Sequence, residues 1–218
     1  MNLMHKLILA GALVYSSISI SDTTIYTSDT EGLLNRTRVI DSNTGLLTPI
    51  NQSQDQSHLP LYWDQDSQML ILKEGYNLVF GGDAVDRGPE DREILSALYT
   101  LAKNNPDRVT LILGNRELNK MRWGLQLLKE NMNGGQLSVQ TLLENSGIRG
   151  GNLVTHWTSQ YSDEHEKRAQ VIDWVTSETF INYLEIAHLA YIDEKTHTYY
   201  QHGPYDLCTG QKGLGLEI

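Results

Sequence analysis

The sequence predicts an α/β fold, and three observations lead there. Short apolar or β-branched runs recur as strand candidates, each run empties into a loop rich in carboxylates or amides, and helical periodicity follows two of those loops. In such folds the polar loops converge at the carboxyl ends of the strands, where ligands bind.

The first run is Thr23-Thr24-Ile25-Tyr26-Thr27, β-branched and aromatic in composition, and it leads into Ser28-Asp29-Thr30-Glu31-Gly32. Residues 35–66 are rich in Asn, Gln, Ser, Thr and Asp and read as a polar surface excursion. Asn77-Leu78-Val79-Phe80 has the continuous apolar character of a fully buried strand and delivers Gly81-Gly82-Asp83-Ala84-Val85-Asp86-Arg87-Gly88. Ile94, Leu95, Leu98 and Leu101 recur at helical spacing within Asp91 to Asn104, and Pro106 stands just beyond.

The pattern then repeats. Val109 to Leu113 is a strand candidate, Gly114-Asn115-Arg116-Glu117 its loop, and Leu118 to about Glu130 a helix. Residues 131–161, with glycine pairs at 134–135 and 150–151, read as an insertion. Arg168 to about Ile186 is helical in pattern, and two strand candidates follow, Leu189 to Ile192 and Thr196 to Gln201, joined by Asp193-Glu194-Lys195 and ending at His202-Gly203.

Composition narrows the function classes. Among 218 residues, 17 are basic and 27 acidic, a formal charge of -10, so the long-range field repels a phosphodiester backbone and nucleic acid is not expected as a partner. Cys208 is the only cysteine, which leaves oxygen and nitrogen ligands for any metal and rules out an intrachain disulfide framework. Residues 1–21, with Lys6, an apolar run from Leu7 to Tyr15 and small residues to Ser21, have the tripartite pattern of a signal peptide. The mature chain is then expected to be exported, periplasmic or secreted, without a membrane span; without cleavage it would be cytoplasmic. His188 lies in an apolar stretch and is expected in the core, and Trp63, Trp123, Trp157 and Trp174 as core or cover.

Four strand ends thus offer Asp29 with Glu31, Asp83 with Asp86, Asn115, and His202. These are donors for hard or borderline divalent cations, and a two-metal hydrolase needs such a set, including one carboxylate that bridges both ions. The glycines beside them suit tight turns and close approach by an anion.

Gly82-Asp83-Ala84-Val85-Asp86-Arg87-Gly88 resembles the second signature of the calcineurin-like metallophosphoesterases, and Gly114-Asn115-Arg116-Glu117 is similar to their Gly-Asn-His-Glu signature. Ser28-Asp29-Thr30-Glu31-Gly32 stands where that family has Gly-Asp-x-His-Gly, and His202-Gly203-Pro204 where it has His-Gly-Gly. The resemblance, which spans Thr23 to Pro204, implies a β-sandwich flanked by helices. It also implies a site holding two divalent ions, manganese first, with iron, magnesium or zinc as alternatives. By the same resemblance Asp29, Glu31, Asp83, Asn115 and His202 hold metal, Asp83 as the bridge, Arg87 grips the substrate phosphate, and Asp86 orients a catalytic group.

Two positions depart from the family pattern. Glu31 replaces a histidine ligand, and Arg116 replaces the histidine that protonates the leaving oxygen; arginine stabilises charge but does not release a proton near neutral pH. Asn119-Lys120-Met121-Arg122 resembles a divergent branch that carries both changes. Only 16 residues follow His202 and none is histidine, so the family's later ligands are missing and the chain reads as C-terminally truncated. The expected activity is hydrolysis of a phosphate ester on a protein, a nucleotide or a small molecule by metal-activated water. The alternative is a catalytically inactive relative that binds phosphate or metal.

Overall fold

The computed structural model describes residues 23–135, 137–141 and 158–203. The expected signal peptide, most of the expected insertion, Trp157, Pro204 and Cys208 lie outside the described residues.

The fold is mixed α/β. Strands β1 (Thr23–Thr27), β6 (Tyr76–Phe80) and β7 (Val109–Leu111) form a parallel sheet in the order β1-β6-β7. Thr27 pairs with Phe80 and Phe80 with Leu111, so all three strands end at one edge. The central strand explains its own apolar run: Leu78, Val79 and Phe80 are all buried, because a strand covered on both faces cannot alternate apolar with polar residues.

Between β1 and β6 the chain makes two small antiparallel ladders, β2 (Arg38–Ile40) with β3 (Leu47–Pro49) and β4 (Leu61–Asp64) with β5 (Met69–Leu72). This segment, expected as a surface excursion, buries Val39, Ile50, Leu59, Leu61 and Trp63 in the main core. Its polar residues occupy the turns: the Asp41 carboxylate accepts from the Asn43 amide at 2.9 Å and from the Thr44 hydroxyl at 2.9 Å, satisfying a tight turn locally.

Helix α1 (Asp91–Asn104) crosses from β6 to β7 and buries Ile94, Leu95, Leu98 and Leu101 along one face. Helix α2 covers Asn115–Met132 and begins at Asn115, earlier than its apolar periodicity suggests, because Glu117 caps it by accepting from the Gly114 amide at 2.8 Å.

The single helix expected from Arg168 to Ile186 is two: α3 (Glu164–Val175) and α4 (Glu178–Ile186). Ser177 makes the break. Its hydroxyl donates to the Trp174 carbonyl at 2.7 Å and accepts from the Phe180 amide at 3.3 Å, so it ends one helix and caps the next. Trp174 and Phe180 then close the corner edge to face, their ring centroids 5.2 Å apart.

Strands β8 (Ala190–Asp193) and β9 (Thr198–Gln201) form a hairpin whose turn is Glu194 to His197, later than expected. Just before it, His188 is bracketed by Leu111 and Leu113: its amide donates to the Leu111 carbonyl at 2.8 Å, and its carbonyl accepts from the Leu113 amide at 2.7 Å. His188 is therefore exposed and acts through its backbone, not as the core histidine its apolar neighbours suggest. Tyr200 stacks on Tyr26 of β1 at 5.8 Å between centroids, so the hairpin lies against the sheet and β9 returns to the edge where the loops gather.

Candidate metal and phosphate site

The parallel register puts the loops after β1, β6 and β7 side by side, and backbone hydrogen bonds hold them together. The Asp29 amide donates to the Gly82 carbonyl at 2.9 Å, Glu31 to Asp83 at 2.9 Å, Gly32 to Ala84 at 2.8 Å, and Arg87 back to Glu31 at 2.8 Å. Gly32 and Gly88 are pressed against one another: a Cβ at Gly88 would lie 1.7 Å from the Gly32 carbonyl oxygen. Glycine at both positions is what allows the two loops to meet.

Among the described residues six non-glycines take positive φ, and four of them are the carboxylates of this cluster: Asp29 at 59°, Glu31 at 50°, Asp83 at 57° and Asp86 at 125°. Each such conformation costs about 1–3 kcal/mol and persists only where surrounding structure enforces it. Glu117, fully buried, supplies much of that enforcement. Its carboxylate accepts from the amides of Gly114 (2.8 Å), Ala84 (2.7 Å), Asp83 (3.1 Å) and Val85 (3.3 Å). Burial, with Asp83 adding to it, pushes its carboxyl above the ordinary value, while the amide donors pull the other way.

The sequence-expected residues fall into two adjoining groups. In the first, Asp29, Asp83 and His202 each bring a ligand atom within 4.8 Å of the others. Asn115 joins them through its side-chain oxygen, 3.1 Å from His202 Nε2. His202 Nδ1 lies 2.7 Å from the Gly81 carbonyl, which orients the ring and leaves Nε2 toward Asp83 at 3.3 Å. Burial disfavours the imidazolium, but the Asp83 hydrogen bond and charge, the Gly81 carbonyl and Asp29 outweigh it and raise the pKa to about 9. Asp83 is lowered in spite of its own burial, through His202 and Arg116.

In the second group Arg116 is the hub. Its Nε donates to Asp83 Oδ2 at 3.0 Å, one terminal nitrogen reaches Glu31 at 2.5 Å, and the other contacts Asp86. Its backbone amide, in the first turn of α2, also donates to Asp83 Oδ1 at 3.0 Å, adding the positive helix end to the same carboxylate. Glu31 is met by Arg36 and Arg87 as well, the latter at 3.1 Å, and so stands among guanidiniums and apart from the Asp29, Asp83 and His202 cluster.

The chain matches no family model, no curated protein and no solved structure. Two carboxylates, an imidazole and an amide form a donor set that fits a divalent cation such as manganese, iron, magnesium or zinc, and three arginines beside it fit an oxyanion.

Two residues of this network were given no role from the sequence, although Lys120 stands in the Asn119-Lys120-Met121-Arg122 motif. Lys120 has a fully buried side chain with Nζ 2.7 Å from Asp86 Oδ1. Burial pulls its pKa down, and Asp86 opposes that pull. The signal was present: Arg116 and Lys120 are four apart on one helix, hence on one face. Arg36 follows buried Leu34 in a short 3-10 turn, Leu34–Arg36, and only the folded loops reveal its partner.

Proposed function

We propose that the chain is a metal-dependent phosphoesterase related to the calcineurin-like metallophosphoesterases. The observation that carries this is the meeting of Asp29, Asp83 and His202, with Asn115 alongside, at one sheet edge directly beside Arg87 and Arg116. The family's sandwich belongs to the same proposal. It is supported by the parallel sheet, the bridge from Ile112 to His188 and the hairpin that leads to His202.

In this reading Asp29, Asp83, Asn115 and His202 hold a divalent ion. A second ion would share Asp83 and draw on Glu31. When bound, a metal would supply a Lewis acid and would lower the pKa of water enough to make hydroxide available near neutral pH. Arg87, half-exposed at the rim, grips phosphate oxygens through the planar fork that suits them. Arg116 stabilises charge on the phosphoryl group or leaving oxygen, while Asp86, backed by Lys120, keeps the guanidinium in place. Since arginine does not release a proton here, Arg116 acts on charge alone and is not the leaving oxygen's general acid.

One observation favours the second reading, a metal- or phosphate-binding protein without turnover. Arg116 already neutralises Glu31 and Asp83, the carboxylates a second ion would need. Manganese-dependent hydrolysis of an aryl phosphate by the purified chain separates the two readings, with Asp83→Asn as control. Turnover lost in that variant supports the enzyme. A folded protein that binds one equivalent of manganese and shows no turnover supports the binding protein.

A further inference from the structure

Arg36 and Arg87 converge on the same oxygen of Glu31, Oε2, while Arg116 takes Oε1. Three guanidiniums thus share one carboxylate. Neither Arg36 nor Arg87 has another carboxylate partner among the described residues, and their side chains are 39% and 44% exposed. Each guanidinium carries five N–H donors, so both present surplus charge and donors to solvent at the rim of the metal-ligand cluster.

The placement is built into the fold. Arg87 is fixed by its amide bond to the Glu31 carbonyl at 2.8 Å. The turn bearing Arg36 is pinned by buried Leu34, whose amide donates to the Glu90 carboxylate at 2.7 Å, and Glu90's own amide donates to the Gly32 carbonyl at 3.1 Å. In a chain of net charge -10, Arg36 and Arg87 are two guanidiniums that share one carboxylate, held in place by these loop hydrogen bonds.

We infer that Arg36 extends the Arg87 clamp into a second anion subsite, so that Arg87 holds one phosphate and Arg36 the neighbouring phosphate of a di- or polyphosphate ligand. The geometry selects tandem phosphates because both guanidiniums reach one oxygen and therefore serve adjacent anionic groups, and because Arg116 links that oxygen's carboxylate to Asp83. Glu31 is the internal counterion that such a ligand displaces. The inference deepens the phosphoesterase reading by naming a substrate class, but the subsite's affinity for the anion does not depend on turnover.

Calorimetric titration of the full chain, in the presence of chelator, with inorganic pyrophosphate and with inorganic orthophosphate tests it. Pyrophosphate is expected to bind at least about tenfold more tightly, with Arg36→Ala removing that preference and changing orthophosphate affinity by less than about twofold. Arg36→Lys, which keeps the charge and the fold but loses the fork, should retain only part of the preference. Equal affinities, no binding of either anion, or a preference untouched in folded Arg36→Ala would each overturn the inference. Failure of aryl phosphate turnover with the preference intact would remove the phosphoesterase reading alone, whereas turnover without the preference would remove this inference alone.

Discussion

Asp86 and Lys120 meet 2.7 Å apart with side chains 3% and 0% exposed, a buried ion pair joining the loop after β6 to the second turn of α2. Asp86 turns its other oxygen to Arg116, so this pair underlies the position of the guanidinium that spans Glu31 and Asp83.

Replacing Lys120 with Met is therefore expected to destabilise the protein by about 3 kcal/mol, because it leaves a buried carboxylate short of one partner. Asp86→Asn in the same background should recover part of the loss. Urea unfolding of the two single variants and the double variant gives the coupling, and strict additivity would contradict a direct pair.

Arg116→Lys keeps the charge but cannot span three carboxylates. If the phosphoesterase reading holds, turnover should fall roughly 100-fold or more, in line with loss of a preorganised donor, with a smaller change in KM. Steady-state kinetics with an aryl phosphate decides this, and parental turnover in the variant would assign Arg116 a purely structural role.

Gly88→Ala tests the contact between the first two loops. Its Cβ would meet the Gly32 carbonyl oxygen at 1.7 Å, a backbone atom that cannot rotate away. A cost of about 1–3 kcal/mol is expected from overpacking, and, if the metal reading holds, weakened manganese binding as the loops separate. Thermal unfolding and metal titration measure the two effects independently.

Asp41 supplies a pH-dependent contribution in the turn between β2 and β3. Its carboxyl is lowered, chiefly by the Asn43 amide and further by the Thr44 hydroxyl and His58, with burial opposing. A depressed folded pKa means the stabilisation is complete above the unfolded value of 3.8 and disappears as pH falls through the lower folded value. Asp41→Asn should thus unfold at lower urea than the parent near neutral pH, and the gap should close as pH falls below 3.8 and through the lower folded value. A gap independent of pH would point to packing instead of charge.

Much of the frame was legible locally. Helix α1 runs from Asp91 to Asn104 as its apolar spacing requires, and the strands ending at Thr27 and Phe80 announce themselves by β-branched or continuous apolar residues. Less legible was the segment from Asn35 to Asp66, whose buried Val39, Ile50, Leu59, Leu61 and Trp63 are separated by polar turn residues and make no regular period. The break at Ser177 was hidden for a related reason. Apolar spacing continues across it, and a single hydroxyl bonded to both Trp174 and Phe180 decides the local geometry.

The sequence by itself determined which polar side chains end each strand, and hence which residues compete for the site, because strand endings and turns follow from short-range chemistry. Tertiary structure alone decided how they are shared. Asp29, Asp83 and His202 converge because parallel strands and a returning hairpin end at one edge, whereas Glu31 is drawn to Arg36, Arg87 and Arg116. A carboxylate's partner depends on distances of a few ångströms between loops far apart in the chain, and no spacing along one strand or helix encodes them.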